Sequence, residues 1–197
     1  RAGTGYVNDY NGSQILVHPT YALSGSRAPI SLSHVFNSSE QGADIGYGKG
    51  FRLNYHQTLN KVTIAGTDYY QHVDGDGTVH YFYYDSSKKT WKDEFGLEFT
   101  LTVNSGTAEP YVIRDKEDNL LVFDSNGYLI KVRDKNSNTL AITYSNSRIA
   151  KITDGAGRAT SFTYLKDANG TATDLSQITM PSGQTIEFAY TSHMLTS

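Results

Sequence analysis

The chain of 197 residues contains no cysteine, which excludes disulfides and thiolate metal sites. Proline is scarce, with four residues, so turns must be made mainly by Gly, Asn and Asp. Charged residues reach only 19%, against 38% hydrophobic, which is too little charge and too much apolar content for a disordered chain. The net charge of -3 gives no basic face for nucleic acid. Lys88, Lys89 and Lys92 are offset by Asp85, Asp93 and Glu94. No apolar run approaches the ~18 residues of a membrane-spanning helix, so no membrane span is expected. Residues Arg1 to Tyr6 lack an apolar signal core, and the chain reads as a piece of something longer. No stretch shows sustained helical periodicity with good caps. Aromatic residues, by contrast, are plentiful: 15 Tyr and 8 Phe beside a single Trp. Tyrosine suits a half-buried sheet surface, with its ring packed and its hydroxyl wet.

A repeat emerges when the chain is aligned with itself. An apolar residue stands two before an Asp, a turn residue three after it, an apolar residue eight after, and a Tyr ten after. Asp134 with Ile142 and Tyr144 fits, as does Asp154 with Gly157, Phe162 and Tyr164. Asp74, Gly77, Phe82 and Tyr84 make another copy. Looser copies are anchored at Asp93, at Asp115 (Ser125 in the Tyr place) and at Met180, the last with Gly183, Phe188 and Tyr190. The steps between anchors are 19, 22, 19, 20 and 26 residues, and the longest contains the polar insert Lys166 to Asp174, expected to be an extended loop.

Residues on either side of each anchor alternate apolar and polar, as in Thr160-Ser161-Phe162-Thr163-Tyr164, and are read as period-two strands; Ile149-Ala150-Lys151-Ile152 is read the same way. Asp-x-x-Gly supplies the turn: the carboxylate bonds amides ahead of it and Gly takes a positive φ. Each unit is therefore a β-hairpin, with the residues eight and ten after the anchor facing one side. One hairpin cannot bury that side, so successive hairpins must pair into a long curled sheet. The expected fold is all-β: residues 61–197 form the hairpin array and residues 1–60 a β-rich cap. In the cap, strands are expected at Gln14–His18, Ala28–Phe36 and Phe51–His56, with a turn at Tyr10–Ser13 and a Gly-rich loop from Gly42 to Gly50.

Asp154-Gly155-Ala156-Gly157-Arg158 with Phe162 and Tyr164, Asp134 with Tyr144, and Asp74 to Tyr84 resemble the YD repeats of the RHS family. Asn37-Ser38-Ser39 followed by Gly46-Tyr47-Gly48-Lys49-Gly50-Phe51 is similar to the segment that opens many RHS proteins. The resemblance covers residue 7 to the end. It implies a hairpin strip that spirals into a hollow shell, in a secreted or cell-surface bacterial protein. In the family that shell encloses a C-terminal toxin or, in the animal teneurins, supports adhesion. The family's self-cleaving Asp-Pro-x-Gly core has no counterpart: Met180-Pro181-Ser182-Gly183 lacks the Asp.

Catalytic signatures are missing as well. There is no Gly-x-Ser-x-Gly elbow, and the repeat already explains most Asp positions as turns. No catalytic residue, cofactor or metal ligand is assigned. Gly46 to Gly50 misses the phosphate-loop spacing, and Asp74-Gly75-Asp76-Gly77 misses the EF-hand pattern at Thr78 and Val79. None of the six histidines shows His-x-x-x-His spacing; His72 and His80 flank one turn and are expected to face each other across a hairpin. The reading is a non-catalytic shell or stalk segment whose partner is the rest of its own chain. Its open sheet edges, at Thr185 to Tyr190 or beside Ile15, suit self-association. The alternative is a carbohydrate- or cell-wall-binding module using Tyr81, Tyr83 and Trp91, aromatics suited to stacking on sugar rings.

Overall fold

The computed structural model describes residues 3–8, 12–25, 27–42 and 44–196. Tyr10 and Asn11 of the expected N-terminal turn lie outside them. The fold is all-β, built of antiparallel sheets. An N-terminal sheet of four strands runs β1 (Thr4–Val7), β2 (Gln14–Ala22), β3 (Ser31–Asn37) and β4 (Phe51–Leu53), each paired with the next. A short 3-10 turn at Ser38–Glu40 follows β3.

The second sheet has 13 strands in unbroken sequence order. They are β5 (Thr58–Ile64), β6 (Thr67–Val73), β7 (Val79–Asp85), β8 (Thr90–Asp93), β9 (Thr100–Val103), β10 (Tyr111–Arg114), β11 (Leu120–Phe123), β12 (Leu129–Arg133), β13 (Thr139–Ser145), β14 (Arg148–Thr153), β15 (Ala159–Lys166), β16 (Ala172–Thr179) and β17 (Thr185–Glu187). A last hairpin joins β18 (Tyr190–Thr191) to β19 (Met194–Leu195). Because every connection joins neighbours, successive turns fall alternately at the two ends of the sheet.

All six anchors of the repeat lie at one end. At Asp74, Asp154 and Asp134 the anchor amide donates to the carbonyl four residues on (3.0 Å each), and the amide three residues on donates back to the anchor carbonyl. The Asp carboxylate accepts from the amides two and four residues ahead, at 2.8–3.1 Å in the Asp154 and Asp74 turns. The third residue is left-handed throughout: Gly77, Gly96, Gly157 and Gly183, but also Asp118 and Ser137, both at φ 66. Asp is among the residues that tolerate this region, and Asp118 accepts a bond from Arg114 (2.8 Å); Ser137 takes the Cβ cost of about 1–2 kcal/mol, which the turn's backbone bonds offset. Met180 closes the same backbone turn without a carboxylate (Gln184 carbonyl at 2.8 Å), so backbone geometry alone suffices. Asp93 opens a longer loop, closing on Phe99 at 3.2 Å.

The opposite end is variable. It uses Ala65-Gly66, Asp85–Lys89, Asn104–Pro110, Asp124–Gly127, Asn146-Ser147 and Asp167–Gly170. Two of these correct the sequence reading. Lys166 to Asp174 is not an extended loop: β15 runs to Lys166, Asp167 makes the same Asp turn, and β16 starts at Ala172. Ser125 takes no Tyr-like place, because β11 ends at Phe123 and Asp124 opens a turn of its own.

Strict alternation also fails, in one repeated place. The pairing shifts register opposite Phe123, Tyr144 and Tyr164, leaving Ile130, Ala150 and Ser176 as the extra residues of β-bulges. The bulge turns Leu129 and Val132, Ile149 and Ile152, and Leu175 and Ile178 to the same side; of these only Val132 is less than fully buried. Each bulge bends its strand and adds twist, and three in successive hairpins curl the sheet. The curl brings the edge strand β5 back onto the start of β12, through a bridge between Thr58 and Tyr128 and bonds from Leu59 to Gly127 (2.8 Å) and Leu129 to Gln57 (3.2 Å). The sheet does not close into a barrel.

One apolar cluster joins both parts of the chain. Ile30, Leu32, Tyr47 and Leu53 of the N-terminal segment pack with Phe82, Leu101, Ile113, Phe123, Ile142 and Phe162 from the repeat positions. Complete burial of each large side chain is worth about 1.5–3 kcal/mol. Among the described residues no helix is long and apolar enough to cross a membrane.

Candidate functional site

The Gly-rich loop of the N-terminal segment delivers one side chain to the centre of this core. Gly46, Gly48 and Gly50 all have positive φ, and the loop they make inserts Tyr47, which is fully buried. A side chain at Gly46 would meet Arg148 Nε at 2.5 Å, so the loop is also tight against β14. Burial pushes the Tyr47 hydroxyl up to about 12. That hydroxyl lies 2.8 Å from His56 Nδ1 and 3.4 Å from the hydroxyl of Tyr164. Tyr164 in turn donates to the Ile149 carbonyl at 2.8 Å, beside a bulge that leaves backbone groups off the ladder. Tyr144 donates to the Tyr55 carbonyl at 3.4 Å. The repeat tyrosines Tyr144 and Tyr164 thus stand at the join between cap and array. Tyr84 does not: it is half exposed and packs on Trp91.

The three aromatics expected to bind a ligand do not come together. Tyr69 pairs with Tyr83, and Gln71 with Tyr81, on the side of β6 and β7 opposite Phe82. Gln71 Nε2 donates to the Tyr81 hydroxyl at 3.0 Å, and the Tyr69 and Tyr81 rings meet edge to face at 6.3 Å. Tyr83 is 39% exposed. Trp91 stands directly across from Tyr84, and residues directly opposite share a face, so it belongs to the other side of the sheet. It packs edge-on against Tyr70 at 4.8 Å. The signal was in the repeat: Trp91 holds the position two before an anchor, as buried Ile113, Ile152 and Ile178 do.

Beside Tyr81 a pocket of about 440 Å³ opens next to the Asp74 turn, lined by Val79, His80, Phe95, Leu97 and Asn37. Its walls are mostly apolar, and neither Phe95 nor Leu97 follows a pattern that singled it out in the sequence. The Asp74 turn itself is clamped to the N-terminal segment. Buried Arg52 donates to Glu40 (Nε to Oε2, 2.9 Å), to the His56 carbonyl and to the Asp74 carbonyl (3.1 Å each). Asn37 donates to the Asp76 carbonyl at 3.0 Å, and Tyr6 donates to the Asp76 carboxylate. Asp74 and Asp76 spend carboxylate oxygens on their own turn amides, as a turn reading requires.

His72 and His80 do face each other across β6 and β7, with rings stacked at 5.8 Å. Each has a different partner: His72 Nε2 lies 3.0 Å from Gln57 Oε1, and His80 Nε2 lies 2.9 Å from Asp74 Oδ2. Burial, and then the neighbouring His80 and Arg52, lowers His72 to about 3. Among the described residues, the histidine that joins candidate metal ligands is instead His193, with Asp44 and Asp174. These lie 149 residues apart in sequence at the extremes (His193 minus Asp44), a separation no local motif reveals.

No protein-family model and no curated protein matches this chain.

Proposed function

We propose that this chain is a non-catalytic wall segment of a YD-repeat, RHS-type β-shell in a large secreted or cell-surface bacterial protein. One observation carries the reading: five hairpin turns of one backbone design, at Asp74, Asp115, Asp134, Asp154 and Met180, recur with the longer Asp93 loop at a single end of an unbroken 13-stranded meander. Such an array adds one hairpin at a time, each burying its neighbour's apolar side, which is what a wall requires. Among the described residues strand β17 pairs on one side only, with β16, and offers its other edge to further strands. The partner in this reading is the rest of the parent chain, and enclosure of a C-terminal toxin is the role the family resemblance suggests.

A second reading rests on the outward Tyr81 and Tyr83 and on the apolar pocket beside Tyr81. In it the array is a scaffold for binding glycans or cell-wall polymers. Pull-down of the purified chain on a panel of cell-wall polysaccharides separates the two. A wall segment retains none of them. Saturable binding that disappears in Tyr83→Ala would make the chain a recognition module and sink the passive reading.

A further inference from the structure

Three side chains from distant parts of the chain converge on one point at the C-terminal hairpin. Asp44 comes from the loop ahead of Tyr47, Asp174 from β16, and His193 from the tight turn between β18 and β19. Their ligand atoms all lie within 4.8 Å of one another. His193 Nδ1 is 2.8 Å from Asp174 Oδ2 and 3.2 Å from Asp44 Oδ2. One imidazole N–H therefore faces two carboxylates and can satisfy only one of them well.

Asp174 sharpens the problem. It is 4% exposed, and its Oδ1 is buried with no hydrogen-bond partner. The Tyr190 hydroxyl is likewise buried without a partner, and it is close enough to Asp174 and Asp44 for their charges to add to burial in raising its pKa. A carboxylate taken out of water with half its oxygens unmet is costly unless a cation compensates it. Asp44 is already oriented, because its Oδ1 accepts the Gly46 amide at 3.0 Å, which leaves Oδ2 toward His193.

We infer that Asp44, Asp174 and His193 form a binding site for a divalent transition-metal ion of the zinc type. Ligands about 2.0–2.1 Å from a tetrahedral ion sit roughly 3.3 Å apart; His193 Nδ1 stands 2.8 and 3.2 Å from the two carboxylates, and all three ligand atoms fall within 4.8 Å, so small side-chain shifts would admit the ion. One imidazole nitrogen with two carboxylates is a donor set for zinc and its neighbours. Calcium and magnesium prefer more ligands, all of them oxygen. Asp44 and His193 are exposed, so a water completes the fourth position. The ion would displace the shared proton at His193 Nδ1 and supply the charge that Asp174 lacks.

The consequence is mechanical. The hairpin β18–β19 is held to the rest by few bonds, among them Lys49 N–H to the His193 carbonyl at 2.8 Å. A metal on His193 pins that hairpin both to β16 and to the loop that carries Tyr47. Sequence spacing hid the site, since its ligands belong to no common motif.

The test uses the whole chain, stripped with EDTA and titrated calorimetrically with zinc chloride. One saturable zinc equivalent is expected, with a rise in thermal midpoint that EDTA reverses. His193→Ala and Asp44→Asn alter exposed side chains and should fold normally by circular dichroism yet lose that equivalent. Asp174→Asn should lose it too. Magnesium chloride should give no comparable heat. Absence of saturable zinc binding in the wild-type chain overturns the proposal, and so does zinc binding that survives both His193→Ala and Asp44→Asn.

Discussion

The turns at Asp74 and Asp154 and those at Asp115 and Asp134 lie at the same end of the sheet and use the same Asp-to-amide bonds. Yet the first pair carries Gly directly after the Asp, and the second pair carries Lys116 and Lys135. Neither Gly75 nor Gly155 has a positive φ, so the turn does not demand glycine there. The demand comes from outside. A Cβ on Gly75 would lie 2.5 Å from the Asn54 carbonyl oxygen, and one on Gly155 would lie 2.5 Å from that of Arg27. The second carboxylate oxygen tells the same story. In the free turns it accepts from the Asn four residues on, Asn119 or Asn138, at 2.8 Å. In the docked turns it is taken by Arg158 (2.7 Å), which also reaches the Ser24 carbonyl at 2.9 Å, or by His80. A repeat departs from its neighbours where another part of the chain leans on it.

The strongest way to break the docked side is acid. His34, His56 and His72 are buried where the N-terminal segment meets the array. Burial, and then the charge of His18, lowers His34 to about 4. Burial followed by Arg52 and Arg148 lowers His56 to about 3. All three are neutral in the folded chain, while in the unfolded chain they protonate near 6.5. Above about pH 6.5 both states are neutral and this contribution to stability is complete. As the pH falls below that value, only the unfolded chain takes up protons, and each imidazole costs on the order of 1.4 kcal/mol per pH unit until its folded pKa is reached. His80 acts in the opposite sense: burial lowers it, but its bond to Asp74 outweighs that and raises it. Urea midpoints should therefore drop steeply from pH 6.5 to 4.5, and amide exchange should accelerate at Leu59 and Leu129 before the free turns open. A flat profile over that range would mean that the three imidazoles are solvated in the native chain.

Arg52→Ala is expected to come next, at about 3–5 kcal/mol, because it strands Glu40 and removes both carbonyl contacts from a buried hub. A loss below about 1 kcal/mol, the range of exposed pairs, would mean that the first docked turn is held by its apolar neighbours alone.

The sequence made much of this legible. Asp134 with Tyr144 and Asp154 with Gly157 and Tyr164 located hairpins, and all six anchors fell at one end of the sheet because turn chemistry is local. The variable end was harder. Asp124 and Asp167 make the same turn, but their flanking strands are out of phase with the template, so the repeat pattern does not mark the first and assigns the second to a loop. Period-two alternation does not describe Ile149-x-x-Ile152: two buried residues three apart cannot share a face in a regular strand, and that spacing marks a bulge. The same spacing at Leu129 and Val132 and at Leu175 and Ile178 was the missed signal. Tyr81 and Tyr83 lie on the outer side, as alternation against Phe82 in the same strand implies. Trp91 was drawn into their company although its repeat position pointed inward. The contacts of Tyr47 with His56 and Tyr164, like the meeting of Asp44 with His193, depend on how the sheet curls, and no local pattern encodes that.

The smallest expected effect isolates the comparison itself. Gly155→Ala and Lys135→Ala occupy the same place in two turns of the same design, and each adds or leaves a single Cβ. At 155 that Cβ must push the Arg27 backbone away, since the oxygen is at 2.5 Å and the carbonyl carbon at 2.9 Å. Overpacking against backbone costs about 1–3 kcal/mol. Lys135 is exposed, and its truncation should stay within about 0.5 kcal/mol. The contrast is read as the difference in urea midpoints at constant slope, so that a change in the unfolded state is not mistaken for a change in docking. A further deletion of residues 1–30 removes Arg27 and should abolish the penalty at 155 in whatever folded population remains. Equal effects at 155 and 135 would place the reason for Gly155 within the turn, and the distinction between docked and free turns would then rest on Arg158 and His80 alone.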